Sequence, residues 1–90
     1  MYSIKARSIF KKTLIAVADK IADEIGIKYN VDENWVVFYV EEERDAQMLA
    51  YVLMRAFMRA MLLKYGIQYA VQLIDIIVEK INYNRYSSSS

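Results

Sequence analysis

Residues 46–81 carry apolar side chains at Ala46, Leu49, Leu53, Ala56, Ala60, Leu63, Ile67, Ala70, Ile74, Ile77 and Ile81, in alternating steps of three and four with no proline to break them. Spacing of that kind marks a helix with one apolar stripe, and the stripe must be buried against something. The acidic group Glu41, Glu42, Glu43 and Asp45 precedes it, where carboxylates complement the dipole at a helix start. Two readings fit residues 42–81. One is a single helix of about 40 residues, about 60 Å long at 1.5 Å per residue. The other is two helices divided at Gly66, and charge favours it. An antiparallel pair folded near Ile67 sets Arg55 opposite Glu79 and Arg59 opposite Asp75. Either way, the region holds more apolar surface than one small domain hides alone, which points to packing against other surfaces, copies of the chain foremost.

Upstream, residues 4–25 place Phe10, Leu14, Val17, Ile21 and Ile25 on one helical stripe, with Lys5, Lys12 and Lys20 on other faces. Ser3 offers an N-cap, and Gly26 followed by Ile27 offers a left-handed stop, a pattern repeated at Gly66 and Ile67. Between the helices, Ile27, Tyr29 and Val31 alternate with polar residues, Asp32, Glu33 and Asn34 supply turn chemistry, and the run from Trp35 to Val40 follows. This predicts a β-hairpin. A three-residue loop would set Val31 opposite Trp35 and Tyr29 opposite Val37. The second strand is apolar on both sides, so it needs cover on both faces or pairing along its free edge. The expected fold is therefore α+β and mostly helical, in the order helix, β-hairpin, helix, helix, with the last two an antiparallel pair. Residues 1–83 form one domain by length, and 84–90 read as a serine-rich flexible tail.

Composition narrows the chemistry. The chain has 90 residues with neither cysteine nor histidine, so thiolate chemistry, disulfides and the commonest acid/base and metal ligand are missing. No catalytic, cofactor-binding or metal-binding residues are assigned. Hydrophobic residues make up 57%, above the roughly 45–50% usual for soluble domains. A net charge of +1 gives no overall attraction to nucleic acid, but the charges are segregated. Residues 1–20 carry +4, residues 21–45 carry −6 and residues 46–65 carry +3. Opposite blocks of this kind pair within the fold or between subunits. The start of the chain lacks a signal-peptide pattern, and Arg55 and Arg59 interrupt its most apolar window at a cost of about 2.5–3.5 kcal/mol each at a bilayer centre. A cytoplasmic protein without a membrane span is expected. The lack of proline and cysteine beside abundant Ile, Val, Lys and Glu resembles thermophile composition.

Two constellations suggest binding. Arg55 and Arg59, with Tyr51 a turn earlier, suit phosphate contact and base stacking, and Lys5, Arg7, Lys11 and Lys12 extend that candidate nucleic-acid surface. Met48, Met54, Met58 and Met61 crowd one helix, as adaptable apolar contacts do. The segment Leu63-Lys64-Tyr65-Gly66-Ile67 is similar to the turn of helix-turn-helix proteins. The similarity stops there, since Gln72 and Asp75 occupy positions that a recognition helix buries. Ser8 and Thr13 have no histidine base, and the acidic run has no metal-ligand spacing. The function expected is a non-enzymatic oligomeric interaction module, an adaptor or accessory subunit, with Trp35, Phe38, Val40, Leu49, Leu53, Met54, Phe57 and Met61 as its interface. Nucleic-acid binding by the basic residues of the first two helices is the alternative.

Overall fold

Tyr2, Ile4 and Ala6 alternate with Ser3, Lys5 and Arg7, a period of two that suits a pleated strand. In the computed structural model of the chain, which describes residues 1–81, these residues form β1 (Tyr2–Arg7). Then come α1 (Lys11–Ile25), β2 (Tyr29–Asp32), β3 (Trp35–Val40), α2 (Glu43–Tyr65), a single 3₁₀ turn (Ala70–Leu73) and β4 (Asp75–Lys80). The sheet order is β2-β3-β1-β4 with every neighbouring pair antiparallel. β1 and β2 are thus parallel with β3 between them, the split β-α-β arrangement of ferredoxin-like folds.

The core lies between one face of this sheet and the two helices. β1 is central, with Ile4 flanked by Phe38 and Val78, and Ala6 by Val36 and Ile76. Ile4, Ala6 and Phe38 are fully buried against Leu14, Ala18, Leu53, Phe57 and Met61 from the helices. The two helices run antiparallel: the rings of Phe10 and Tyr65 meet at 5.3 Å at one end, and Ile25 and Met48 line one cleft at the other.

Three expectations from the sequence are corrected. First, residues 4–7 belong to a strand, and Ser3 is buried in that strand instead of capping a helix. The turn before α1 is held by Ser8, whose hydroxyl accepts from the Phe10 N–H at 3.0 Å and donates to the Leu73 carbonyl. Second, the β2–β3 loop has two residues, Glu33 and Asn34, so Asp32 faces Trp35, Val31 faces Val36 and Tyr29 faces Phe38. This one-residue shift moves Trp35, Val37 and Tyr39 to the face opposite the helices. Glu33 takes φ 57°, the positive value that tight two-residue hairpin turns demand.

Third, no α-helix follows Gly66 among the described residues, where only the 3₁₀ turn and β4 lie beyond it, so neither the helical hairpin nor the single long helix forms. Gly66 sits at φ 71° and donates to the Leu62 carbonyl at 2.9 Å, while the Ile67 N–H reaches the Met61 carbonyl at 3.4 Å. This closes the helix. No capping residue follows to start another, and the β-branched Ile76, Ile77 and Val78 favour the extended chain. The residues after the helix-turn-helix-like pentapeptide accordingly form the 3₁₀ turn and β4. The expected Arg55–Glu79 and Arg59–Asp75 pairs do not form; Glu79 lies 3.8 Å from Lys5, and Asp75 lies 3.2 Å from Arg7. The expected tail, 84–90, falls outside the described residues.

A Cβ added at Gly66 would meet nothing within 4 Å, so its replacement is opposed by backbone conformation alone. Gly66→Ala is expected to lower the unfolding free energy by about 1 kcal/mol in urea titration, without changing the fold.

Candidate interaction surface

Within α2 the buried positions are Ala46, Leu49, Leu53, Phe57 and Met61. The stripe follows the true helical period of 3.6, and after Leu53 it departs from the 3.5-residue pattern that would have chosen Ala56, Ala60 and Leu63. Leu63 is 74% exposed and Met48 60% exposed. Length adds to the effect. A helix of 23 residues spans about 35 Å, whereas strands of six residues span about 20 Å, so α2 outruns the sheet it covers. By length and composition α2 is apolar enough to cross a membrane, yet only 28% of its most apolar stretch is buried in the fold.

The outer side of α2 combines this apolar surface with cations. Met48, Tyr51, Val52, Leu62 and Leu63 are exposed there, with Arg55 and Arg59 among them. Arg55 donates to the Tyr51 hydroxyl at 2.9 Å and lies 5.7 Å from that ring's centre. Neither arginine has a carboxylate partner among the described residues, whose ion pairs are Lys5–Glu79 and Arg7–Asp75. Beside this strip, an apolar cleft between the helices is lined by Ile21, Ile25, Val40, Leu49 and Val52, and a groove continues it past Ala56 and Arg59.

The sheet face turned away from the helices is different in kind. Trp35, Val37, Tyr39 and Ile77 form its apolar centre. Lys5 and Arg7 stand beside them, but each is matched with a carboxylate across β4, and the Arg7 guanidinium lies 4.5 Å over the Trp35 ring. Val37 is only 3% exposed. The two cations of this face are matched within the chain, and Arg7 covers part of its apolar surface.

The residues expected to form an interface are divided by this arrangement. Phe38, Leu49, Leu53, Phe57 and Met61 lie in the core of a single chain, Val40 packs against that core, Met54 is half-buried on α2, and Trp35 is half-buried on the open sheet face. The candidate nucleic-acid contacts are scattered as well. Lys5 and Arg7 lie on β1, Lys11 and Lys12 begin α1, and Tyr51, Arg55 and Arg59 share the outer side of α2, across the core from the first pair. Lys11 donates to the Glu33 carbonyl at 3.3 Å. Of the exposed apolar residues on α2, Met48 was read from the sequence as an adaptable contact, Leu63 was read into the buried stripe, and Val52 and Leu62 were not singled out; the drift of the 3.6 period away from the apolar stripe was the signal for the last three.

No nucleophile or metal cluster is assembled nearby. Ser8 is engaged in holding its turn, and among the described residues no three carboxylates gather as a metal would require. Compared with known protein families, curated proteins and solved structures, the chain matches none.

One titrating group reports on the α1–β2 contact. Tyr29 donates to Asp19 at 3.1 Å; partial burial, then that hydrogen bond and the carboxylate's charge, raise its pKa above the ordinary value of 10.0. A raised phenol pKa contributes stability that is complete below the unfolded value and is lost as pH rises through the folded one. Tyr29→Phe is expected to remove a late-titrating phenolate from the absorbance curve above pH 10 and to flatten the fall in stability over the same range.

Proposed function

We propose that the chain is a non-enzymatic interaction module that works by assembling, through the outer side of its helical layer, with copies of itself or with another subunit. The observation that carries this reading is the outer side of α2. A helix with this much apolar surface, only 28% buried over its most apolar stretch, is built to be covered again. Arg55 and Arg59 on that exposed side, and Leu53 and Phe57 on the core side, support a docking helix over a membrane span. In solution the chain is expected to sediment as an oligomer at micromolar concentration, with Val52→Glu and Leu63→Glu shifting it toward monomer while its circular dichroism is unchanged. A stable monomer whose state ignores both substitutions would contradict the reading.

A second reading keeps one specific support, Arg55 and Arg59 beside Tyr51 with no carboxylate partner among the described residues, as a contact for the phosphates of nucleic acid. It would use this strip alone, since Lys5 and Arg7 are neutralised on the opposite side. It predicts binding that weakens steeply with salt and is reduced about tenfold or more by Arg55→Ala with Arg59→Ala. Mobility shifts unaffected by the double substitution would remove it.

A further inference from the structure

Four charged residues line the space between α1 and α2: Asp45 in the cleft, and Lys20, Glu24 and Arg59 in the groove that continues it. All four are exposed, and none has an ion-pair partner among the described residues. Lys20 and Glu24 stand four apart in the order that suits an intrahelical pair less well, and Glu24 lies in the last turn of α1, where the helix dipole disfavours a carboxylate.

On α2 the charges close a stripe whose spacing is the same in both directions. Asp45, Met48, Val52, Ala56 and Arg59 follow one another in steps of three, four, four and three, with Val52 at the centre and opposite charges at the ends. On α1 the midpoint between Lys20 and Glu24 is Ala22. These two centres share one level. Counting inward from Ile25 and Met48, which share the cleft, sets Ala22 beside Tyr51, and counting from the contact of Phe10 with Tyr65 sets it beside Leu53. Val52 falls between them.

We infer that the occupant of this face is a second copy of the chain, related by a two-fold axis that crosses both helices at the level of Ala22 and Val52. This rests on the interaction-module reading above and gives it a partner and a register. The rotation lays α2 antiparallel on the partner's α2 and reverses the levels along each helix. Asp45 then faces the partner's Arg59, Lys20 faces the partner's Glu24, and the contact being isologous, each pair forms twice. Between them Met48 meets the partner's Ala56, and the two Val52 side chains meet at the axis. A stripe with symmetric spacing and opposite charges at its ends is the complement of its own reverse, which is why the chain itself fits it. A two-fold running along the helices would keep every level and set Lys20 beside the partner's Arg55, so like-charge repulsion selects the crossing axis.

The test is a charge exchange read by sedimentation velocity on the full chain. One variant carries Arg59→Glu and the other Asp45→Lys, each checked for an unchanged fold by circular dichroism. Like charges then face each other twice in either homodimer, and each variant is expected to dissociate about a hundredfold more readily than wild type. Mixed in equal amounts they are expected to form a heterodimer, because both contacts are then opposite in sign. Variants that self-associate as well as wild type, or monomeric variants that stay apart when mixed, overturn this register while leaving the assembly of wild type intact. A wild-type chain that is monomeric throughout overturns the assembly itself, and this inference with it.

Discussion

The fold hangs on β1 being gripped from both sides. Its backbone pairs with β3 along one edge and β4 along the other, and its inward residues Ile4 and Ala6 are completely buried beneath the helices. Only this strand joins the β2–β3 hairpin to the C-terminal strand. A two-stranded hairpin is marginal by itself, and a lone edge strand has nothing to pair with, so the sheet forms when the two ends of the chain meet. Most of its stability comes from contacts distant in sequence, and both helices take their positions from it.

That constraint explains where the spare surface lies. A sheet of short strands offers a limited platform, and α2 is longer than the platform it covers. The core takes Ala46, Leu49, Leu53, Phe57 and Met61, while Met48, Val52, Leu62 and Leu63 are left exposed on the other side of the helix. The open sheet face went the other way, closing over its apolar centre with Lys5–Glu79, Arg7–Asp75 and the stacking of Arg7 on Trp35. Exposed pairs of this type stabilise a fold by only about 0–1 kcal/mol each. Their consequence here is that Lys5 and Arg7 have carboxylate partners within the chain, as Arg55 and Arg59 do not among the described residues.

How legible this was in the sequence depended on the element. Both glycine stops, the hairpin and the amphipathic character of α1 and α2 could be read, because each rests on local chemistry: a left-handed residue, a turn, a 3.6-residue stripe. The first and last strands in sequence, β1 and β4, were hidden by accidents of spacing. Ile4 falls near enough to the stripe of α1 to be absorbed into it, and Ala70, Ile74 and Ile77 happen to continue the three-and-four stepping of α2 across Gly66. The contrary signals were present in the alternation of Tyr2, Ile4 and Ala6, in the β-branched run Ile76-Ile77-Val78, and in the missing cap after Gly66. The interface residues were misplaced for a related reason. Apolar character marked Phe57 and Met61 as sticky, but sheet pairing, which no local pattern encodes, decided that they are core and that Leu63 and Met48 are surface.

The account's central claim is that the outer side of α2 is a contact surface and the open sheet face is not. It is tested most directly by methyl NMR with a soluble paramagnetic agent, followed as protein concentration rises. The account predicts that the methyl groups of Met48, Val52 and Leu63 become shielded from the agent as the chain assembles, while that of Ile77 on the sheet stays accessible. Persistent accessibility of the helix methyls, with shielding appearing at Ile77 instead, would contradict it.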